Sequence, residues 1–125
     1  MDTKQVGERL VELCREGKNM DAIAELYSPD ITSVEAGGGD ENMPREMHGI
    51  DAIRGKNQWW YENHEVHSGS AEGPYPHDDR FAVKFSYDVT AKSGPMAGNR
   101  FTMNEVALYT VKDGKIVREE FFYAM

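Results

Sequence analysis

Near the end of the chain, in "KIVREEFFYA", the adjacent glutamates Glu119 and Glu120 lie inside a segment that otherwise reads as a β-strand. Successive strand side chains point to opposite faces, so one carboxylate should face water and the other the interior. A carboxyl group in a partly dry, apolar setting keeps its proton to higher pH than usual, and such a group suits general acid–base chemistry near neutrality. Glu105, in "NRFTMNEVALYTV", occupies the preceding strand-like segment and is a second candidate of the same kind.

The other reactive residue types offer less. His64 and His67 are three apart, but no acid or cysteine stands at metal-ligand spacing from them, so no metal is expected. Cys14 is the single cysteine; it falls on the inner stripe of the first helix and reads as core. The run "AGGGD" lacks the Gly-Lys-Ser/Thr and the helix start of a phosphate loop, and reads as a flap controlling access. His48, in "MHG", stands at the turn into the third helix, where capping or packing competes with a place beside a ligand.

Two kinds of element must position these groups. Val6, Leu10, Leu13 and Cys14 recur at helical spacing between Thr3 and Glu16, and Gly17 with Lys18 ends that pattern. A second helix is expected through "NMDAIAELY", with Asn19 as its cap and Pro29 preventing continuation. A short strand, "DITSVEA", precedes the irregular "GGGDENMPREM", read as a mobile loop. A third helix is expected from Asp51 to His64, with Ile53, Trp60 and Tyr61 facing inward. Beyond it the signal turns to strands: "EVHSGSAEG", the cleanly alternating "DRFAVKFSYDVT", and the two segments that carry Glu105 and Glu119. Helices first and antiparallel strands after them describe an α+β domain, with helices covering one face of a sheet.

The 125 residues fit one domain, 1–125. With 39% hydrophobic and 29% charged residues the composition is that of an ordinary globular protein, and no apolar run approaches the roughly 20 residues needed to cross a bilayer. The start "MDTKQVGERL" lacks a signal-peptide pattern, so a reduced, cytoplasmic setting without membrane contact is expected. The net charge of −8 and the scattered basic residues disfavour nucleic acid. A small hydrophobic molecule or a protein partner is expected instead.

"MDAIAELYSPDITSVEA", "MHGIDAIRGK", "WW" and "YTVKDGKIVREEFFY", in this order and spacing, resemble the SnoaL-like branch of the nuclear transport factor 2-like superfamily, relatives of which include ketosteroid isomerases and polyketide cyclases. The resemblance implies a cone: a strongly curved, mostly antiparallel sheet wrapped around three helices, open at one end onto an apolar cavity. It also implies a homodimer through the outer sheet face and no cofactor. In the isomerase relatives a carboxylate eight positions after the tyrosine closing the second helix abstracts a proton next to a ketone; counting from Tyr27 gives Glu35. The relatives' oxyanion donors fall here on or next to Leu10 and on Ala107 or Val106, none of which can donate, with Glu105 one or two residues away on the same strand.

Which glutamate points inward depends on the turn "VKDGK". A two-residue turn at Asp113-Gly114 pairs Val111 with Ile116 and sends Glu120 inward. A three-residue loop with a glycine bulge pairs Val111 with Lys115, sets Ala107 opposite Glu119 and sends Glu119 inward. The second is preferred, because the family's cavity positions map to Glu119, Phe121 and Tyr123. The expected cavity then holds Glu35, Glu105 and Glu119. Its walls are Trp60, Phe85, Tyr87 and Met103 together with Tyr109, Phe121 and Tyr123, with His48 nearby. Two functions fit this expectation: a cofactor-independent isomerase, cyclase or dehydratase with Glu35 as base on a hydrophobic carbonyl compound, or a non-catalytic ligand-binding or dimerisation module.

Overall fold

The computed structural model describes residues 1–37 and 44–123, so part of the expected flap, residues 38–43, lies outside the described residues. Three helices come early: α1 (Thr3–Arg15), α2 (Asn19–Leu26) and α3 (Ile50–Asn63). Helix α1 is started by a reciprocal cap, in which Gln5 N–H donates to Asp2 Oδ1 at 2.8 Å while Asp2 N–H donates to Gln5 Oε1 at 2.9 Å. It ends as expected at Gly17, where Lys18 N–H returns to the Leu13 carbonyl at 2.8 Å. Helix α2 differs from expectation at its start. Lys18, not Asn19, is the cap residue and makes no side-chain cap bond, because Asn19 is already in the first turn and faces the cavity.

Six strands, β1 (Tyr27–Val34), β2 (Glu46–His48), β3 (His64–His77), β4 (Arg80–Ala91), β5 (Arg100–Lys112) and β6 (Lys115–Phe122), form one sheet in the order β2-β1-β6-β5-β4-β3. All neighbours are antiparallel except β1 and β6. The α+β class and the helix-filled, mostly antiparallel sheet agree with the sequence reading. Strand β2 was expected as loop; its three residues pair with Thr32–Val34 at the sheet edge, too short a segment to show a period. Strand β1 also begins at Tyr27 rather than Asp30, and its pairing with β6 shifts between Tyr27 and Thr32, the interval that contains Pro29.

One core cluster joins the helices to the sheet, with Val6, Leu10, Ile53, Phe81, Val83 and Ile116 among its fully enclosed members. Helix α1 lies so close to β3 that a Cβ on Gly7 would stand 2.7 Å from Pro74 Cβ, so the contact admits only glycine there. On the outer sheet face Val106 and Phe122 are cross-strand neighbours and remain 42% and 54% exposed, on the side where the resemblance leads one to expect a dimer contact. No helix among the described residues is long and apolar enough to cross a membrane.

The last hairpin corrects the preferred register. Asp113 and Gly114 both have positive φ, +52° and +77°, and form the two-residue turn that pairs Val111 with Ile116. Such a turn matches the right-handed twist of its strands, which is why Asp-Gly favours it over a longer loop. Taken alone it would send Glu120 inward. A bulge intervenes: Thr110 pairs with Arg118, leaving Val117 without a partner, and from there Tyr109 faces Glu119 and Ala107 faces Phe121. The expected pairing of Ala107 with Glu119 is thus wrong by two residues. Two residues is a full strand period, so Glu119 still points inward.

Candidate functional site

The inward side chains of β4, β5 and β6 form rows across the curved sheet. Phe85 lies opposite Glu105, Tyr87 opposite Met103, and Tyr109 opposite Glu119. The parallel pairing of β1 with β6 sets Ser33 beside Glu119. Helix α3 closes the opposite side with Ile53, Lys56, Asn57 and Trp60, spaced for one helical face. Between them is a cavity of about 450 Å³, in the size range of small-molecule sites. Among the residues named from sequence, Glu35, Glu105 and Glu119 line it, as do Trp60, Phe85, Tyr87, Met103, Tyr109, Phe121 and Tyr123.

His48 does not. In β2 it pairs with Thr32, whose side chain points away from the inward Ser33, so the imidazole shares the outer side. Its Nδ1 lies 3.1 Å from Thr32 Oγ1, its Nε2 3.6 Å from Glu46, and its side chain is 69% exposed. Trp59 also borders the cavity while remaining half exposed, and Trp60 stacks on His64 with ring centroids 4.7 Å apart.

The three glutamates have different surroundings. Glu119, 1% exposed, has both oxygens bonded: the Tyr27 hydroxyl donates to Oε2, and Ser33 Oγ donates to Oε1 at 2.8 Å. Burial and the nearby Glu119 charge raise the ionisation of Tyr27 and Tyr109 far above the ordinary phenol range, so both hydroxyls stay protonated. Glu35, directly after β1, accepts from Lys56 Nζ at 2.8 Å on Oε1 and from the Tyr123 hydroxyl at 3.0 Å on Oε2. Glu105 makes no hydrogen bond or ion pair among the described residues. Burial first, then repulsion from Glu35, moves its pKa up to about 7, with Lys56 opposing. Cys14, also on the wall, is pushed up to about 12 by burial and by Glu119, and stays a thiol.

Sequence reading missed Lys56, Ser33 and Tyr27 as members of the site. Lys56 Nζ is 2.7 Å from Ser33 Oγ and 3.6 Å from Glu119 Oε1, and stands 4.9 Å from the centre of the Phe121 ring. A signal for it was present: Lys56 follows Ile53 by three and precedes Trp60 by four, which puts a lysine on the inner stripe of α3. The result is a hydrogen-bonded chain of Tyr27, Glu119, Ser33, Lys56, Glu35 and Tyr123 along one side of an aromatic cavity, with Glu105 apart from it. Such a site can hold a hydrophobic ligand, take up a proton at one carboxylate and offer hydrogen bonds to an oxygen.

A helix-filled curved sheet with an inward-facing cavity of acids and aromatics is the ketosteroid isomerase-like, or cystatin-like, class of fold. A protein from Xanthomonas campestris with a cystatin-like fold superposes with a TM-score of 0.76 at 18% identity, over 100% of this chain and 92% of its own. A protein with a ketosteroid isomerase-like fold from Catenulispora acidiphila, solved in complex with trimethylamine, gives 0.72 at 21% identity, over 98% and 88%. At such identities the likeness concerns the fold alone. A protein from Mesorhizobium loti, described both as a SnoaL-like polyketide cyclase and as a carbohydrate phosphatase, is 46% identical, with a TM-score of 0.90 over 98% of this chain and 100% of its own. The family model of the SnoaL-like domain matches residues 1–123, and the chain belongs to that family. Comparison with curated proteins finds no match.

Proposed function

We propose that the protein is a cofactor-independent acid–base enzyme of the cyclase or isomerase type, acting on a hydrophobic carbonyl compound held in the cavity. The carrying observation is the contrast between Glu35 and Glu105 in one cavity: Glu35 pairs with Lys56, whereas Glu105 is unbonded among the described residues and held to about pH 7 by burial. Two carboxyl groups whose environments differ in this way divide the work of base and acid. Glu35 takes the proton next to the carbonyl, and protonated Glu105 donates toward the oxygen. Glu119, bonded at both oxygens, holds the neighbouring groups in place and transfers no proton. Of the two activities by which the 46% identical relative is described, cyclase and carbohydrate phosphatase, the aromatic, acid-bearing cavity favours the first.

The test is exchange of α-protons for deuterium in small aromatic and cyclic ketones, followed by NMR. Exchange should be catalysed by the protein and fall by about 100-fold or more in Glu35→Gln, the order of a general-base contribution. The second reading, a binding module without chemistry, is favoured by the apolar Leu10 and Ala107 at the relatives' donor positions. It predicts ligand-dependent rises in melting temperature with no exchange in either form.

A further inference from the structure

If Glu35 abstracts a proton, negative charge appears on the carbonyl oxygen, and something must receive it. The usual donor positions of the resemblance carry Leu10 and Ala107, and Glu105 is one donor where an oxyanion is best held by two. Lys56 is the cation on the cavity wall closest to the acids; its side chain is 12% exposed. An ammonium has three N–H donors. Ser33 Oγ at 2.7 Å and Glu35 Oε1 at 2.8 Å take two of them. The 3.6 Å approach to Glu119 Oε1 is too long to use the third.

We propose that the remaining N–H of Lys56 donates to the substrate carbonyl and that Lys56 is the principal stabiliser of the oxyanion, an inference that rests on the acid–base reading above. Before reaction the ammonium has Glu35 as its counter-ion. When the C–H bond breaks, its proton goes to the Glu35 carboxylate and its electron pair to the enolate, whose charge resides on oxygen. Glu35 becomes neutral as the substrate becomes charged, so Lys56 exchanges one anionic partner for another and keeps its own proton throughout. The cavity's net charge does not change during the step, and no buried ion is left unpaired, which would otherwise be costly. Lys56 therefore binds the transition state more strongly than the neutral substrate, the condition for raising a rate.

Glu119 acts here through another residue. Because Ser33 spends its one hydroxyl proton on Glu119, its lone pairs are turned to Lys56 and accept one N–H of the ammonium, which holds Nζ in place. Glu119 is thus a positioning residue for Lys56, and Ser33 is the link.

The probe is 4-nitrophenol, a planar hydrophobic molecule whose phenolate mimics the enolate oxygen and absorbs differently from the phenol. On binding to the wild-type protein its ionisation should shift to lower pH. Lys56→Met should move the midpoint back up by at least one pH unit, a tenfold loss of preference for the anion, and Lys56→Arg should restore most of it. Because Lys56→Met leaves Glu35 without its cation, the pair Glu35→Gln and Glu35→Gln/Lys56→Met repeats the comparison with that charge removed. A midpoint unchanged by loss of Lys56 in both backgrounds overturns the assignment while leaving the ligand cavity standing. Absence of any binding to the wild-type protein overturns the cavity reading, and this inference with it.

Discussion

Glu119 and Glu105 lie on neighbouring strands, face the same cavity and are of one residue type, yet they differ in nearly every physical respect. Glu119 is enclosed and receives a hydroxyl at each oxygen, from Tyr27 and Ser33. Glu105 faces Phe85 across the strand pair and has no such partner among the described residues, so burial drives it toward the neutral acid. A buried carboxylate with a donor at each oxygen is compensated in place, and one left unserved becomes a proton donor at neutral pH. The difference lies in what stands opposite each: polar β1 beside Glu119, aromatic β4 beside Glu105.

The comparison breaks first at Glu119. Glu119→Ala leaves Tyr27 and Ser33 without their acceptor and leaves Lys56 with Glu35 as its one close anion among the described residues. It should cost about 4 kcal/mol, the order seen when one member of a buried charged cluster is removed, read as a lower midpoint in urea unfolding. Little or no loss would place Glu119 among the unserved carboxylates instead.

Glu105→Gln should act in the opposite direction, with a dependence on pH. The folded-state pKa, about 7, lies above the unfolded value of 4.5, so the native state binds more protons across that interval and its stability falls as pH rises through it. At pH 8 the ionised side chain opposes folding by about 3 kcal/mol, and removing the charge should recover much of that. Below pH 4.5 both states are protonated and the variant should match the wild type. A gain that does not vary with pH, followed by thermal unfolding from pH 4 to 8, would mean that Glu105 is not the buried acid described.

A smaller effect sharpens the account of Glu119. Tyr27→Phe removes one of its two donors and keeps the ring, and should cost about 2 kcal/mol, typical of a hydrogen bond to a charged group. The double variant with Ser33→Ala should lose less than the sum if the remaining donors rearrange around Glu119, which a double-mutant cycle measures.

Much of this was legible in the chain itself. The apolar stripe of α1, the Gly17 stop, the alternation of β4 and the helices-then-strands order each have local causes, and they appear in the structure with ends displaced by a few residues. Glu35 and Glu105 could be reached by counting from Tyr27 and along an alternating strand, whereas Glu119 was reached through the resemblance and a register wrong by two residues, an error that a full strand period conceals. What escaped depends on contacts between distant segments. Ser33 and Tyr27 matter only because β1 runs parallel beside β6, a pairing 86 or more residues apart in sequence. Lys56 stands at inner-stripe spacing from Ile53 and Trp60, but its role depends on Ser33 and Glu35, which lie 23 and 21 residues away in sequence. The bulge at Val117 has no local signature, and His48 went astray because the three-residue strand that turns it outward is too short to leave a pattern.

The unpaired Val117 also bears on how this domain tolerates insertion and deletion. Because the acid is doubled, a ladder that loses a single residue between the bulge and the twin glutamates sets Glu120 opposite Tyr109 and still presents a carboxylate beside Ser33, whereas an added residue would bring Arg118 there. The floor of the cavity thereby keeps its anion through a class of mutation that, in most strands, would exchange inside for outside.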